Sequence, residues 1–170
     1  MGVMQPEIIQ RLLDINKEFY QTFGQAFAQT RRRIQPGVRR VLDEWIRDGD
    51  WLDIGCGSGG LALAWRTSEL RGSYTGVDFS AALLEEAAAG MAGIAPRDGI
   101  NFSFHNVDLA KTDWPTALER KVYDGVLSFA VLHHIPAAEK RALLTRQVAE
   151  LMKPGGLFIL SVWQFQHSPK

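Results

Sequence analysis

Asp50-Trp51-Leu52-Asp53-Ile54-Gly55-Cys56-Gly57-Ser58-Gly59-Gly60 is a short apolar run that stops at glycine, and a helical pattern (Leu61, Leu63, Ala64, Trp65) follows it. Such a passage reads as strand, tight turn and helix N-terminus, the nucleotide crevice of a parallel α/β sheet. Gly55, Gly57 and Gly60 satisfy G-x-G-x-x-G, so a dinucleotide is the first ligand to weigh. Asp53 weighs against it. Two residues before Gly55, at the carboxyl end of the strand, its carboxylate is expected to face the ligand. There it would repel a pyrophosphate, which wants backbone N–H groups, and attract an ammonium or a sulfonium. Opposite unit charges about 4 Å apart attract by roughly 4 kcal/mol at an effective dielectric near 20, before desolvation.

The sign of that effect favours S-adenosylmethionine (SAM) over NAD. Asp53-Ile54-Gly55-Cys56-Gly57-Ser58-Gly59 resembles the first motif of class I SAM-dependent methyltransferases, D-x-G-x-G-x-G, and the likeness extends over roughly residues 45 to 163. The next segments keep the pattern. Tyr74 to Asp78 reads as a second strand ending in acid, near the roughly 20-residue spacing at which a carboxylate takes the ribose hydroxyls. Ile100 to Val107 is a third strand, ending at Asp108. By the resemblance, Asp108 accepts from the adenine amino group and the Leu109 N–H serves a ring nitrogen. Gly55, Cys56, Gly57 and Gly59 of the loop, with Phe79, Val107, Ser128 and Phe129 at strand ends, are counted with them as cofactor-contacting.

Tyr123 to Phe129 is nearly continuous in apolar character, as a central parallel strand should be. It opens into Ala130-Val131-Leu132-His133-His134-Ile135-Pro136, where family members hold the methionine end of SAM and the acceptor, so His133 and His134 are the catalytic candidates. His-His followed by Ile-Pro supplies no third ligand, and no metal is expected. A helix from Ala137 to Met152 precedes the stop Lys153-Pro154-Gly155-Gly156, and Leu157 to Trp163 is a fifth strand. Pro96-Arg97-Asp98-Gly99 reads as a turn. Strands alternating with helices give an α/β, doubly wound, Rossmann-like parallel sheet, with order 3-2-1-4-5 by the resemblance. The family adds two further strands, for which this sequence has no counterpart. Either the chain is a shortened form or a partner covers the edge, and an uncovered fifth strand invites self-association.

Ahead of this domain (residues 37–170), residues 1–36 read as a helical cap and a basic segment. From Glu7 to about Phe23 apolar residues recur at three and four, the pattern of a helix that packs on the domain or closes over the cofactor. Pro36 suits the first turn of a second helix whose inner face would be Val38, Val41, Leu42, Trp45 and Ile46. Arg31, Arg32, Arg33, Arg39 and Arg40 are the one basic cluster in a chain of 170 residues with 19 basic and 19 acidic side chains. That balance recruits neither nucleic acid nor membrane by global charge, so such a partner needs a local patch. No apolar run reaches the roughly 20 residues of a membrane span. A single cysteine, Cys56, excludes an intrachain disulfide and points to a reducing compartment, so a cytoplasmic location is expected.

Within class I, His133-His134, Val162-Trp163 and Phe27-Ala28-Gln29-Thr30-Arg31 are similar to segments of the tRNA wobble-uridine carboxymethyl methyltransferases. That resemblance implies that Arg31 pairs with the methionine carboxylate, that Tyr20 closes over the cofactor, and that Arg32, Arg33, Arg39 and Arg40 meet tRNA phosphates. A small-molecule methyltransferase and a non-catalytic adenosine-binding module are the alternatives.

Overall fold

The computed structural model describes residues 4–30, 34–92, 99–119 and 122–163. At its centre β1 (Gly49–Ile54) pairs in parallel with β2 (Gly72–Asp78) on one side and with β4 (Tyr123–Phe129) on the other. β3 (Ile100–Asn106) lies beyond β2, and β5 (Met152–Ser161) beyond β4, which gives the order 3-2-1-4-5. Alternation along β1 sends Leu52 and Ile54 to one face and Trp51 to the other. The first face, with Val77 and Val126, is covered by Leu144 and Val148 of α5 (Ala138–Glu150). On the second, Trp51, Tyr74 and Leu127 meet Leu42 of α2 (Pro36–Glu44) and Leu61, Ala62 and Trp65 of α3 (Gly60–Arg66). α4 (Ala81–Ala92) packs beside α3. α1 (Pro6–Thr30) crosses the open end of the sheet: Asn16 and Tyr20 reach the loop after β4, and Gly24 sits against Leu83 at the start of α4.

The expected strands, their order and the helical cap are all present, and the differences lie at boundaries. α1 runs seven residues past Phe23. Trp45, expected to point inward, is 56% exposed. α2 stops at Glu44, and beyond it Ile46 is in the core as expected while Trp45 turns outward. Lys153-Pro154-Gly155-Gly156, read as a helix stop, lies within β5. α5 already closes at Leu151, whose N–H bonds the carbonyls of Gln147 and Val148. Met152 then pairs with Tyr123, and the register shifts before Gly125 pairs with Leu157. Pro154 has no N–H to offer, which an edge strand tolerates. Residues 96–98 of the expected turn lie outside the described residues. Among the described residues no helix is long and apolar enough to cross a membrane.

The β1–β4 junction has no spare room. Gly125 stands opposite Trp51, and a Cβ there would fall inside the indole, which is pinned by Nε1–H donation to the Arg47 carbonyl at 3.0 Å. Gly125→Ala is therefore expected to destabilise the fold by about 1–3 kcal/mol, the usual range for an overpacked core. A lowered urea midpoint checks this, and an unchanged midpoint contradicts it.

Candidate functional site

β1 stops at Gly55, where φ is +74° and a Cβ would collide with Val131 in the loop after β4. Only glycine lets the two loops approach so closely. Their meeting point is the sheet's topological switch, where α/β folds hold ligands. The N–H groups of Gly55 and Cys56 both bond the Val77 carbonyl, at 2.7 and 3.0 Å. Gly57 differs: it lines the cavity, and a Cβ there would meet nothing within 4 Å. The backbone is bare towards a cavity of about 360 Å³, floored by strand-end loops and roofed by α1.

Asp78, at the end of β2, is the best-fixed polar group in that cavity. Its Oδ2 accepts from the Gly57 N–H at 3.0 Å and its Oδ1 from the Ser80 N–H at 2.9 Å. Burial raises its pKa, while those backbone donors oppose the rise. Each carboxylate oxygen accepts more than one hydrogen bond, so both retain capacity for a ligand diol. Asp108 also lines the cavity. Its Oδ1 accepts from the Ala110 N–H at 3.0 Å, and its Oδ2 pairs with Lys17 of α1 at 2.7 Å.

The roof is held at two points. Lys17 ties α1 to the acid beyond β3. Asn16 and Tyr20 tie it to His134: the Asn16 amide donates to the His134 carbonyl at 3.0 Å, and Asn16 Oδ1 lies 3.4 Å from Nδ1. Tyr20 Oη lies 3.2 Å from Nε2. Burial, reinforced by the neighbouring His133, lowers the His134 pKa to about 4. The ring is thus neutral at pH 7, and with Nδ1–H facing Asn16 the Tyr20 hydroxyl donates to Nε2. The Tyr20 ring also stands 5.6 Å from Phe79, so it bridges the two sides of the crevice. His133 lines the cavity beside His134, and burial lowers its pKa too.

Other expected contacts sit elsewhere. Asp53 does not face the cavity. It shares a sheet face with Trp51, is 3% exposed, and accepts the Tyr74 hydroxyl at 2.5 Å. Burial, chiefly, pushes its pKa up to about 7, with Tyr74 opposing and Asp78 adding. Cys56, within the loop, does not line the cavity, and burial with those two carboxylates pushes its thiol well above the ordinary range. Gly59 begins α3 and admits Ala87 of α4 rather than a ligand. Val107, just past β3, packs into the core, and Ser128 is buried within β4; neither lines the cavity. Phe79, Leu109 and Phe129 do. Arg31, Arg32 and Arg33 lie outside the described residues. Arg39 and Arg40 pair with Asp43 and Glu44 on the exposed side of α2. Among the described residues no three metal-ligating side chains cluster.

Sequence reasoning missed Asn16 and Lys17, and Trp163 beside His133 (ring centroids 5.7 Å apart). A signal existed for the first two. Leu13, Asn16, Lys17 and Tyr20 repeat at three, four and seven, a mixed polar stripe along one helix face.

With this geometry in view, the comparisons are specific. The model of the methyltransferase-domain family matches residues 52–158. A protein of Encephalitozoon cuniculi, provisionally named a methyltransferase, is 33% identical over 147 residues, 85% of this chain and 60% of its own length. The tRNA (carboxymethyluridine(34)-5-O)-methyltransferase of Arabidopsis thaliana is 24% identical over 144 residues, 85% of this chain and 31% of that protein. The structure of an S-adenosylmethionine-dependent methyltransferase from Mesorhizobium loti superposes with a TM-score of 0.55 at 26% identity, over 75% of this chain and 52% of that one. The chain thus spans from under a third to three fifths of these proteins.

Asp53 generates a pH prediction. Its folded pKa of about 7 lies above the ordinary carboxylate value of 3.8, so between those values the folded chain holds a proton that the unfolded chain has released. Stability then declines as pH rises through that window, by on the order of 4 kcal/mol in total. Asp53→Asn should flatten the decline and raise stability at pH 8 relative to the parent. Urea midpoints at pH 4.5 and 8 check it, and an equally steep decline in the variant contradicts it.

Proposed function

The chain belongs to the methyltransferase-domain family, whose cofactor is SAM, and from that premise we propose that it methylates the carboxymethyl group of a tRNA wobble uridine. SAM supplies a methyl group on a sulfonium, an electrophile whose leaving group needs no protonation. The residues present suit it. Asp78 would hold the ribose hydroxyls with its remaining lone pairs, Gly57 leaves the backbone open to approach, and Asp108 with the Leu109 N–H would take the adenine edge. Arg31 would pair with the methionine carboxylate.

The observation that carries the acceptor reading is the chemistry beyond β4. Both ring nitrogens of His134 are engaged, by Asn16 and Tyr20, and burial lowers its pKa to about 4, so it is a weak base and serves as a support for α1. His133 is left beside it. The described residues lining that end include no carboxylate. A carboxylate acceptor is already ionised at neutral pH and needs no base, unlike an amine, phenol or alcohol. The Arabidopsis relative's name specifies such an acceptor, which supports the reading. Arg32, Arg33, Arg39 and Arg40 would meet tRNA phosphates. Freeing Arg39 and Arg40 from their exposed i,i+4 partners costs only about 0.3–0.5 kcal/mol each. The unpaired side of β5, an edge among the described residues, is offered for pairing with another chain.

A small carboxylate or aromatic acceptor is the second reading, favoured by the roof that α1 closes over the cavity. Incubation with labelled SAM and tRNA carrying carboxymethyluridine, followed by nucleoside mass analysis, separates the two. The methyl ester is expected, at a rate that falls as salt rises, with a log–log slope of roughly 0.7–0.9 per phosphate contacted. Labelling of a small acid or phenol with no ester on tRNA contradicts the tRNA reading and leaves the methyltransferase.

A further inference from the structure

The cavity has two ends of different chemistry. Over β2 and β3 it is acidic, with Asp78 and Asp108. Over β4 and β5 its described lining carries no carboxylate, and three rings follow one another instead. His134 and His133 stand with centroids 4.2 Å apart at 44°, and His133 and Trp163 stand 5.7 Å apart at 35°. The two histidine rings are in close contact, and the wider-spaced His133 and Trp163 rings are nearer to parallel than to edge-to-face. Trp163 lines the cavity yet is 49% exposed, and leaving a large indole half in water forgoes burial that the core would reward. The strand end that carries it is anchored. Two residues earlier, Ser161 accepts the Ala130 N–H through its carbonyl at 3.0 Å and its hydroxyl at 3.2 Å, which ties the end of β5 to the loop carrying His133. Ala130 itself has φ +59°, a strained conformation for a residue with a Cβ, held at the junction of these loops.

We propose that Trp163 is a specificity-determining residue for the methyl acceptor, its indole and the His133 imidazole forming a wall on which a planar ring stacks, the uracil in the reading above. The inference rests on the methyltransferase reading of the cavity, and it holds for any flat acceptor. With the adenosine end fixed over β2 and β3 by the two acids, the acceptor is left the space over β4 and β5. The wall is uncharged at neutral pH, because burial keeps the imidazole neutral. A base or other flat ring offers it a π-face, and stacking of this kind is tolerant of ring identity. An aliphatic ammonium would find no carboxylate at this end to pair with.

The full chain saturated with S-adenosylhomocysteine is titrated with 5-carboxymethyluridine, with phenylacetate and with cyclohexylacetate, by ligand-observed NMR. Planar rings are expected to bind and the saturated ring is not. Trp163→Ala should weaken ring binding roughly 5- to 100-fold, the range for removing one stacking aromatic. Trp163→Phe should keep affinity within about threefold, as a retained π-face requires. Unchanged affinity for S-adenosylhomocysteine in both variants establishes that they are folded. If wild type binds phenylacetate with this dependence but ignores the nucleoside, the wall stands and the tRNA reading fails. If tRNA is esterified equally well by Trp163→Ala, the tRNA reading stands and the wall is overturned. Equal binding of cyclohexylacetate, or no ring binding to wild type, also overturns it.

Discussion

One buried carboxylate holds the site together. Asp78 bonds the Gly57 N–H with one oxygen and the Ser80 N–H with the other, so it joins the glycine loop after β1 to the first turn of α4. Removing it would leave two backbone donors short of a partner next to a cavity, the arrangement that costs most where water is scarce. Taking those N–H groups out of contention also shapes what can bind. A pyrophosphate relies on free loop amides, and in this loop the amides of Gly55 and Cys56 are spent on Val77 and that of Gly57 on Asp78. What remains is an acid with spare lone pairs, which suits a neutral diol better than a phosphate.

The sheet was legible because its signals are local. β1 and β2 are short runs closed by glycine or acid, β4 is nearly continuous in apolar character, and the helices between them show recurring faces, so elements and order follow from periodicity and the family likeness. Boundaries failed where tertiary pairing outranks local chemistry. Pro154-Gly155 reads as a stop, yet Tyr123 extends β5 back to Met152. The acids at 78 and 108 were found because strand ends carry them outward. Asp53 was misjudged because its position on β1 was read without its parity. Sharing a face with Trp51, it points to Tyr74 behind the loop, where burial keeps it protonated to about pH 7. The attraction assigned to it in the sequence argument therefore cannot act by direct contact.

The roof was legible only in part. The sequence pattern of the N-terminal helix reads as one broad apolar face. In the fold its residues divide: Leu13, Phe19 and Tyr20 line the cavity, while Ile8, Leu12, Ile15 and Phe23 are each more than a third exposed. No propensity scale predicts that division, because it depends on what α1 lies across. The ties that fix it, Lys17 to Asp108 and Asn16 with Tyr20 to His134, span about 90 to 118 residues of sequence. They also change the meaning of the His pair. The two adjacent histidines differ in their contacts: Asn16 and Tyr20 engage His134, while His133 lines the cavity beside Trp163.

The crevice suits an adenosyl sulfonium rather than a dinucleotide. Calorimetric titration of the protein with SAM, with S-adenosylhomocysteine and with NADH tests this most directly. One-site heats are expected for the first two, lost together when Asp78 is replaced by alanine, with no saturable heat from NADH. Saturable NADH binding with no response to either adenosyl ligand would contradict it.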